Sequence, residues 1–491
     1  MGWECLVLLL SMASAGASKE EVTASLDPPQ AVDFHKEILP ILSRRCASCH
    51  VGQRVKGGLR MDTREGLLRG GDSGPALIPG KSEESPMLQL ARGDDPERVM
   101  PANGARLNAE ELAKLRAWID QGAPWEEGLT LSEPFKTAPL ALRRVQLPDQ
   151  DRNASVDSSN PIDRLLSGYY RSKHVEPGPL VSDRVFARRV SLDLVGLLPS
   201  IEELARLEKD PRSNKRSLYI QAKLGDRKNY AEHWLTLWND ALRNAYRGTG
   251  FIDDGRRQIT GWLYKALFDN LPYDQFVNQL LSPVEGSDGF IYGIQWRGVV
   301  NASQRREMQA AQSIGQVFLG INLKCASCHD SFISSWKLKD AYSLANVFSD
   351  EDLEIHRCDR PTGEKATTAF LFPELGGIDP RAPKAERLAQ LAAAMTNPKN
   401  GRLTRTIVNR LWTRLLGRGL VEPVDEMDQD PWNADLLDWL AMDLQDHGHD
   451  LKHTLALICE SRAYQSASTG APPPDQRSFV FRGPVVKRMD A

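Results

Sequence analysis

The pentapeptide CASCH occurs twice in this chain of 491 residues, at positions 46–50 and again at 325–329. Two thiols three residues apart, followed directly by an imidazole, form the attachment signature of c-type haem. On a helical turn the two cysteines lie on one side, where each can form a thioether to the porphyrin, while the histidine binds the iron from below. The first copy therefore predicts a haem c held by Cys46, Cys49 and His50.

A sixth iron ligand for this haem is expected downstream of His50. Met100, which Pro101 follows, is the best placed, because methionine is the usual sixth ligand of a low-spin haem that transfers electrons. Met61 and Met87 compete for the same role. We predict that His50 and Met100 are the two axial ligands of the first haem.

The second copy predicts a second haem c, held by Cys325, Cys328 and His329. A disulfide, a redox C-x-x-C pair or half of a zinc site would use the same thiols, but no βαβ pattern precedes them and no second C-x-x-C completes a zinc tetrad. No Met-Pro element follows, so the candidates for the sixth ligand of this iron are His356, His233 or another group, and an open position is the remaining alternative. An open iron would favour catalysis, whereas a six-coordinate iron mainly passes electrons.

The elements that position the first motif show helical periodicity. Before the motif, apolar residues recur at helical spacing: Phe34, Ile38, Ile41 and Leu42. Residues 51–95 are rich in Gly and Pro and predict a loop with little regular structure. Asn108 and Glu111 form a capping pair that predicts the start of a second helix.

Five segments follow from the periodicity and composition of the whole chain. They are a signal peptide at 1–17, a haem domain at 31–128, a linker at 129–160, an α-helical domain at 161–380 with the second motif, and a helical C-terminal domain at 381–491 that we expect to be incomplete. Helical patterns dominate throughout. The predicted fold class is therefore mainly α, with a small cytochrome-c-like helical domain followed by larger all-α domains.

Further helices are predicted in the middle region at 256–271, 273–281 and 304–320, and the last of them is expected to run directly into the second motif. The tryptophans of this region, such as Trp234 and Trp238, are expected to lie in its core rather than at a cofactor.

Composition limits the function classes. With 41% hydrophobic residues, 26% charged residues and a net charge of −3, the chain is an ordinary globular protein with no preference for nucleic acid. No apolar run beyond the signal peptide approaches the roughly 20 residues that span a bilayer. We therefore expect a periplasmic or otherwise exported protein without a membrane span after processing.

The run from Phe34 to Trp125 resembles the planctomycete-type cytochrome c domain in its CASCH motif, its Gly-Gly loop, its Met-Pro pair and its WIDQGAPW ending. In that family the resemblance implies attachment through Cys46 and Cys49 and axial ligation by His50 and Met100. Residues 189–200 and the segment around the second motif are similar to the uncharacterised domain that follows such cytochromes. Residues 408–412, 417–421 and 451–453 are similar to the opening of a third domain of unknown function. Neither companion family implies an activity.

Two sets of residues lie outside these motifs. Cys358 and Cys459 are either a disulfide or two thiols. His447, His449 and His453 cluster around a predicted helix end, where cations favoured by the helix dipole are a commoner explanation than a metal site.

Three functions are compatible with these features. The one we favour is an exported dihaem c-type cytochrome that transfers electrons to or from a redox partner protein. The alternatives are a haem-dependent oxidoreductase centred on residues 325–329, and an envelope-binding scaffold with an accessory cytochrome domain. No phosphate loop, dinucleotide fingerprint or H-E-x-x-H motif supports a nucleotide enzyme or a zinc hydrolase.

Overall fold

A computed structural model provides the structure of the chain and describes residues 32–51, 55–95, 97–102, 106–131, 137–149, 159–244, 252–254, 257–293, 295–296, 298, 300–331, 333–470 and 479–486. The chain divides into two compact units, Met1–Pro134 and Phe135–Ala491. The predicted signal peptide at 1–17 lies outside the described residues. No helix within the described part is long and apolar enough to cross a membrane.

Short helices connected by turns make up the first unit. Its helical pieces are Phe34–Ile38, Leu39–Ile41 (α1), Leu42–Cys46, Ala47–His50 (α2), Lys56–Gly58, Arg64–Arg69 (α3), Pro86–Arg92 (α4) and Ala109–Asp120 (α5). The first four are contiguous and alternate π-type with α-type turns, so the predicted helix before the first motif is present. The expectation that residues 51–95 form a loop is wrong, because α3 and α4 lie within them.

Local capping explains both unexpected helices. The side chain of Thr63 accepts a hydrogen bond from the backbone of Gly66 and so caps the start of α3. Pro86 occupies the first position of α4, where its fixed φ suits a helix and its missing N–H costs nothing. Gly93 ends α4 with a φ of 85°, a conformation that glycine adopts without strain.

Helix α5 packs against the first helical segment. The predicted capping pair is confirmed, since Asn108 accepts from the backbone of Glu111 while the Glu111 carboxylate accepts from the backbone of Asn108. Trp118 is fully buried and lies against the ring of Phe34, with centroids 6.0 Å apart. Arg45 pairs with Glu111 across the two segments. These contacts fix the helix that ends in the first motif.

The second unit is also mainly helical, which confirms the predicted fold class. Its α-helices are Pro161–Lys173 (α6), Asp183–Val195 (α7), Ile201–Lys209 (α8), Lys215–Gly225 (α9), Arg227–Ala241 (α10), Thr260–Phe268 (α11), Tyr273–Leu281 (α12), Gly289–Tyr292 (α13), Arg306–Leu319 (α14), Leu338–Asn346 (α15), Lys384–Met395 (α16), Gly401–Leu416 (α17), Ala434–Asp446 (α18), Leu451–Glu460 (α19) and Arg462–Gln465 (α20). Single 3₁₀ turns occur at Arg257–Ile259, Ala302–Gln304 and Pro373–Leu375.

Strands are few among the described residues. They are Ile252–Asp254 (β1), Gln295–Trp296 (β2), Glu354–Arg357 (β3) and Arg360–Lys365 (β4). β1 pairs with β2 and β3 pairs with β4, in both cases antiparallel. The β3–β4 pair is a hairpin whose two turn residues, Cys358 and Asp359, have φ of 47° and 65°. Positive φ at both turn positions matches the twist of the flanking strands.

One hydrophobic core joins the helices of the second unit, with contributors from Ile162 to Phe481. Trp234 and Trp238 are each 2% exposed, which confirms that they belong to the core. The helix predicted at 273–281 is α12, and the one predicted at 304–320 is α14.

Two arginines of α17 bind the end of α14. Arg402 is fully buried, and its Nε donates to the carbonyl oxygen of Leu319 at 2.9 Å. Two turns further along α17, Arg410 donates to the carbonyl oxygens of Gln316 and Val317. Carbonyl groups in the last turn of a helix have no partner within the helix, so guanidinium donors satisfy them. The chain is thereby held in place at Leu319, six residues before Cys325, where the second motif begins.

Candidate haem sites

The first motif lies on the last turns of the helical segment that begins at Phe34. Cys46 ends a π-type piece, and Ala47–His50 forms an α-helical turn that closes with a hydrogen bond from the N–H of Val51 to the carbonyl oxygen of Ala47, at 3.0 Å. Cys46 and Cys49 are thiols separated by one turn. This is the local structure that the spacing predicts for two thioether bonds to one porphyrin.

Cys46 packs against the core of the first unit. Burial raises the pKa of its thiol to about 12, and the nearby guanidinium of Arg45 opposes that effect only in part. The thiol is therefore protonated at neutral pH. An uncharged group is what an apolar site accepts, and a thioether to haem would be equally uncharged.

The imidazole of His50 is half-buried, and its Nδ1 is shielded from solvent. Burial lowers the pKa of the imidazole, outweighing the opposite effect of the backbone at Leu59 and Lys56. The ring is therefore neutral at pH 7, which is the form that binds metal. The two thiols and this imidazole fit a covalently bound haem c.

The three methionines of the first unit differ in exposure. Met61 is 2% exposed and Met87 is partly buried, and both pack into the core. Met100 is 36% exposed, and its backbone N–H donates to the carbonyl oxygen of Leu90 at 3.0 Å. An anchored backbone with an uncommitted thioether suits a ligand better than a core residue does. Ligation by Met100 stays a prediction.

The second motif forms a single isolated turn. The N–H groups of Cys328 and His329 both donate to the carbonyl oxygen of Cys325, at 3.1 and 3.2 Å. The helix before it, α14, ends at Leu319, one residue before its predicted end, and Gly320 adopts a φ of 58°. The expectation that this helix runs directly into the motif is wrong.

Gly320 explains the early stop. A Cβ at this position would lie 2.2 Å from the Cγ of Met427, and the carbonyl oxygen of Gly320 accepts a hydrogen bond from the backbone of Met427 at 2.9 Å. Both the positive φ and the close approach require glycine. The chain therefore turns away from the axis of α14 before it reaches the cysteines.

The imidazole of His329 is oriented by its own neighbour. Its Nδ1 lies 2.8 Å from the carbonyl oxygen of Asp330, a contact that places the ring proton on Nδ1 and the lone pair on Nε2. The carboxylate of Asp330 accepts the N–H of Leu338 at 3.0 Å, at the start of α15. This is the tautomer that a histidine needs in order to bind iron through Nε2.

A β-hairpin brings a third thiol to the second motif. The N–H of Cys358, at the hairpin turn, donates to the carbonyl oxygen of Cys328 at 2.9 Å, and its Sγ lies 3.8 Å from the same oxygen. Sequence reasoning missed this contact. The same hairpin carries His356, whose N–H donates to the hydroxyl of Tyr342 at 3.1 Å. The predicted sixth ligand therefore lies on a strand whose turn contacts the motif.

The remaining candidates are the Cys358–Cys459 disulfide and His233 as an iron ligand. Cys459 is fully buried in the core of the second unit, whereas Cys358 is exposed, and both are thiols in the structure. His233 packs on α10 against Gly196, where an added Cβ would lie 2.5 Å from its Nδ1. The imidazole of His233 thus fills a helix-packing position.

Three protein families match the chain in succession. Residues 46–104 match Planctomycete cytochrome C, residues 161–352 match a protein of unknown function (DUF1549), and residues 386–491 match a second protein of unknown function (DUF1553). No curated protein and no solved structure matches the chain.

Proposed function

We propose that this chain, in which a planctomycete cytochrome c domain precedes a DUF1549 and a DUF1553 domain, is an exported dihaem c-type cytochrome that transfers electrons. The observation that carries the proposal is His50. Its imidazole is half-buried and neutral, and it follows two thiols on consecutive helical turns. These three groups supply the two attachment points and one iron ligand that haem c requires.

At the first site, Cys46 and Cys49 would hold haem c covalently, and His50 and Met100 would bind the iron. When bound, the haem supplies a one-electron couple, and ligation by one histidine and one methionine raises its reduction potential. The chain contributes the position of these groups. Core packing around Cys46 fixes one attachment point, and the helical turn fixes His50 relative to it.

At the second site, Cys325, Cys328 and His329 would hold a second haem c. The hydrogen bond between His329 and the carbonyl of Asp330 selects the ligating nitrogen, and His356 is our candidate for the sixth ligand. The hairpin contact at Cys328 supports that assignment, because it ties the strand of His356 to the motif.

Export agrees with haem attachment. Thioether bonds to haem form outside the cytoplasm in bacteria, and the sequence begins with the short apolar run expected of a signal peptide. The partner would be another redox protein of the cell envelope.

The haem count tests the proposal. The chain is produced with its leader in a host that attaches haem c, and intact mass and reduced-minus-oxidised spectra are recorded. We expect two covalent haems, one of which is lost in Cys46→Ala and the other in Cys325→Ala. A protein with one haem that is retained in Cys325→Ala would contradict a second haem at residues 325–329. Protein without any haem would overturn the electron-transfer function.

A haem-dependent oxidoreductase is the second candidate, and one observation favours it. His233, the other histidine considered as sixth ligand, packs against Gly196 and fills a helix-packing position. Sixth ligation of the second iron therefore depends on His356, and without it the iron would stay open. A high-spin spectrum from the second haem would assign it to catalysis instead of electron transfer.

A further inference from the structure

Two imidazoles and one carboxylate converge where α18 meets α19. The Nε2 of His453 lies 2.9 Å from Oδ2 of Asp443, and the Nδ1 of His447 lies 3.3 Å from Oδ1 of the same carboxylate. The two imidazole rings stack with centroids 3.8 Å apart and planes inclined by 16°. This group is in the second unit and includes no residue of either haem motif.

We propose that Asp443, His447 and His453 bind a divalent transition-metal ion of the zinc class. One nitrogen of each ring and one carboxylate oxygen all lie within 4.8 Å of one another. A tetrahedral zinc ion with bonds of about 2.0–2.1 Å sets its ligand atoms about 3.3 Å apart. The three groups therefore need only small side-chain movements to close on one ion.

The helix dipole does not explain this arrangement. His447 follows the last residue of α18, where a cation is favoured, but His453 is the third residue of α19, where a cation is disfavoured. The stacking of the two rings at 3.8 Å instead brings their nitrogens to the same carboxylate, as a shared ion would require.

Neighbouring contacts hold the three ligands in place. The Asp443 side chain is 11% exposed and contacts both imidazoles, which limits its freedom to turn away from the site. The carboxylate of Asp450 accepts the N–H groups of Lys452 and His453, which fixes the first turn of α19. Support of this kind reduces the cost of assembling a metal site.

The ligand set differs from the histidine cluster visible in the sequence. The Nδ1 of His449 lies 3.8 Å from the carboxylate of Asp274, so His449 has a different acidic neighbour. Asp443, on α18 and four residues before His447, joins the group instead. The His447 side chain is 49% exposed, so a bound ion would exchange with solvent and keep at least one position for water.

Zinc binding to the haem-loaded full-length chain tests the proposal. We expect one Zn²⁺ per chain, measured by calorimetry and by metal analysis after gel filtration, with a raised unfolding temperature because the ion joins α18 to α19. Asp443→Asn, His447→Gln and His453→Gln should each weaken binding by about 100-fold or more. His35→Gln is the matched control, since His35 pairs with the single carboxylate of Glu126, and it should leave binding unchanged.

Two further measurements separate this site from the cysteine motifs. Cys325→Ala/Cys328→Ala should retain the zinc affinity of the unsubstituted chain. Loss of zinc in that variant would move the ion to the thiols and overturn the proposal, as would unchanged affinity in both His447→Gln and His453→Gln. Circular dichroism checks that each variant is folded, and Asp443→Asn keeps the size of the side chain. The zinc result does not depend on the haem count.

Discussion

The backbone N–H of Cys358 donates to the carbonyl oxygen of Cys328 across 2.9 Å, so the turn of a β-hairpin contacts the second C-x-x-C-H motif directly. The contact uses backbone atoms, and the Cys358 thiol lies beside it, 3.8 Å from the same oxygen. The hairpin therefore supports the motif through its conformation, and the cysteine side chain is not needed for that support.

Replacing Cys358 separates these two roles. Cys358→Asn keeps the N–H and tolerates the positive φ, so haem content at the second motif should equal that of the unsubstituted chain. Cys358→Pro removes the N–H and forbids that φ, so it should lower the content. Intact mass measures both. Loss of haem in Cys358→Asn would instead give the thiol a part in attachment.

His356 should determine the spin state of the second haem. If it provides the sixth ligand, His356→Ala converts a six-coordinate, low-spin iron into an open, high-spin one, which absorption and magnetic spectra of the oxidised protein record. His233→Gln is the control, because His233, on α10, packs against Gly196 at the end of α7. A low-spin second haem in His356→Ala would rule out His356 as the ligand.

Substitution of Met100 and Met61 should have opposite consequences. Met100→Leu removes the proposed thioether ligand, so the first haem should lose its low-spin spectrum while stability changes little, because Met100 is 36% exposed. Met61→Leu should cost up to about 1.5 kcal/mol in the free energy of unfolding and leave the spectrum unchanged, because Met61 is a core residue. The reverse pattern in spectra and denaturation curves would assign the ligand to Met61.

The Cys46 thiol should react slowly in the haem-free chain. Its pKa of about 12 exceeds the value of about 8.5 for an ordinary thiol, so at pH 8 the thiolate is more than roughly 1,000-fold scarcer. Alkylation followed by peptide mapping should show Cys46 protected until the pH approaches 12, and reactive near pH 8.5 once urea unfolds the chain.

The same shift has a consequence for stability. The folded state keeps a proton that the unfolded state releases, so the contribution of Cys46 is complete below about pH 8.5 and falls as the pH rises towards 12. A thioether does not titrate, so the haem-loaded chain should lack this component of alkaline destabilisation. Equal labelling of Cys46 in folded and urea-unfolded protein at pH 8 would contradict the burial of the thiol.

Local signals in the sequence anticipated much of the fold. The capping pair at Asn108 and Glu111, the helix at 273–281 and the buried Trp234 all follow from patterns within a few residues. The contact between Cys358 and Cys328 spans thirty residues and depends on a turn in another element, so no local periodicity reports it. The C-x-x-C-H spacing identified the candidate ligands, but only packing shows that His50 is half-buried and neutral.

Residues 51–95 and the end of α14 differ from the prediction made from local patterns. The glycines and prolines of residues 51–95 predict a loop, but Pro86 occupies the first position of a helix and Gly93 follows its last one, so both mark helix ends. The apolar periodicity of residues 304–320 predicts a helix that continues towards the second motif. The contact of Gly320 with Met427, 107 residues later, ends it.

Arg402 lies in the segment that matches DUF1553 and contacts the end of α14, the helix that precedes the second motif. Its side chain is fully buried, pairs with Asp428 and donates to the carbonyl oxygen of Leu319. Arg402→Leu removes both interactions and leaves Asp428 without its buried cation. Breaking a buried ion pair from one side costs about 3–5 kcal/mol, and urea denaturation should show a loss of that size.

An exposed pair provides the control for this substitution. Arg381 is 92% exposed and lies 3.7 Å from Asp379, so Arg381→Leu should change the free energy of unfolding by less than about 1 kcal/mol. Because Leu319 ends α14, Arg402→Leu should also lower haem content at the second motif and leave the first unchanged. Equal losses in the free energy of unfolding for Arg402→Leu and Arg381→Leu would mean that the hydrogen bond from Arg402 to Leu319 does not stabilise the segment before the second motif.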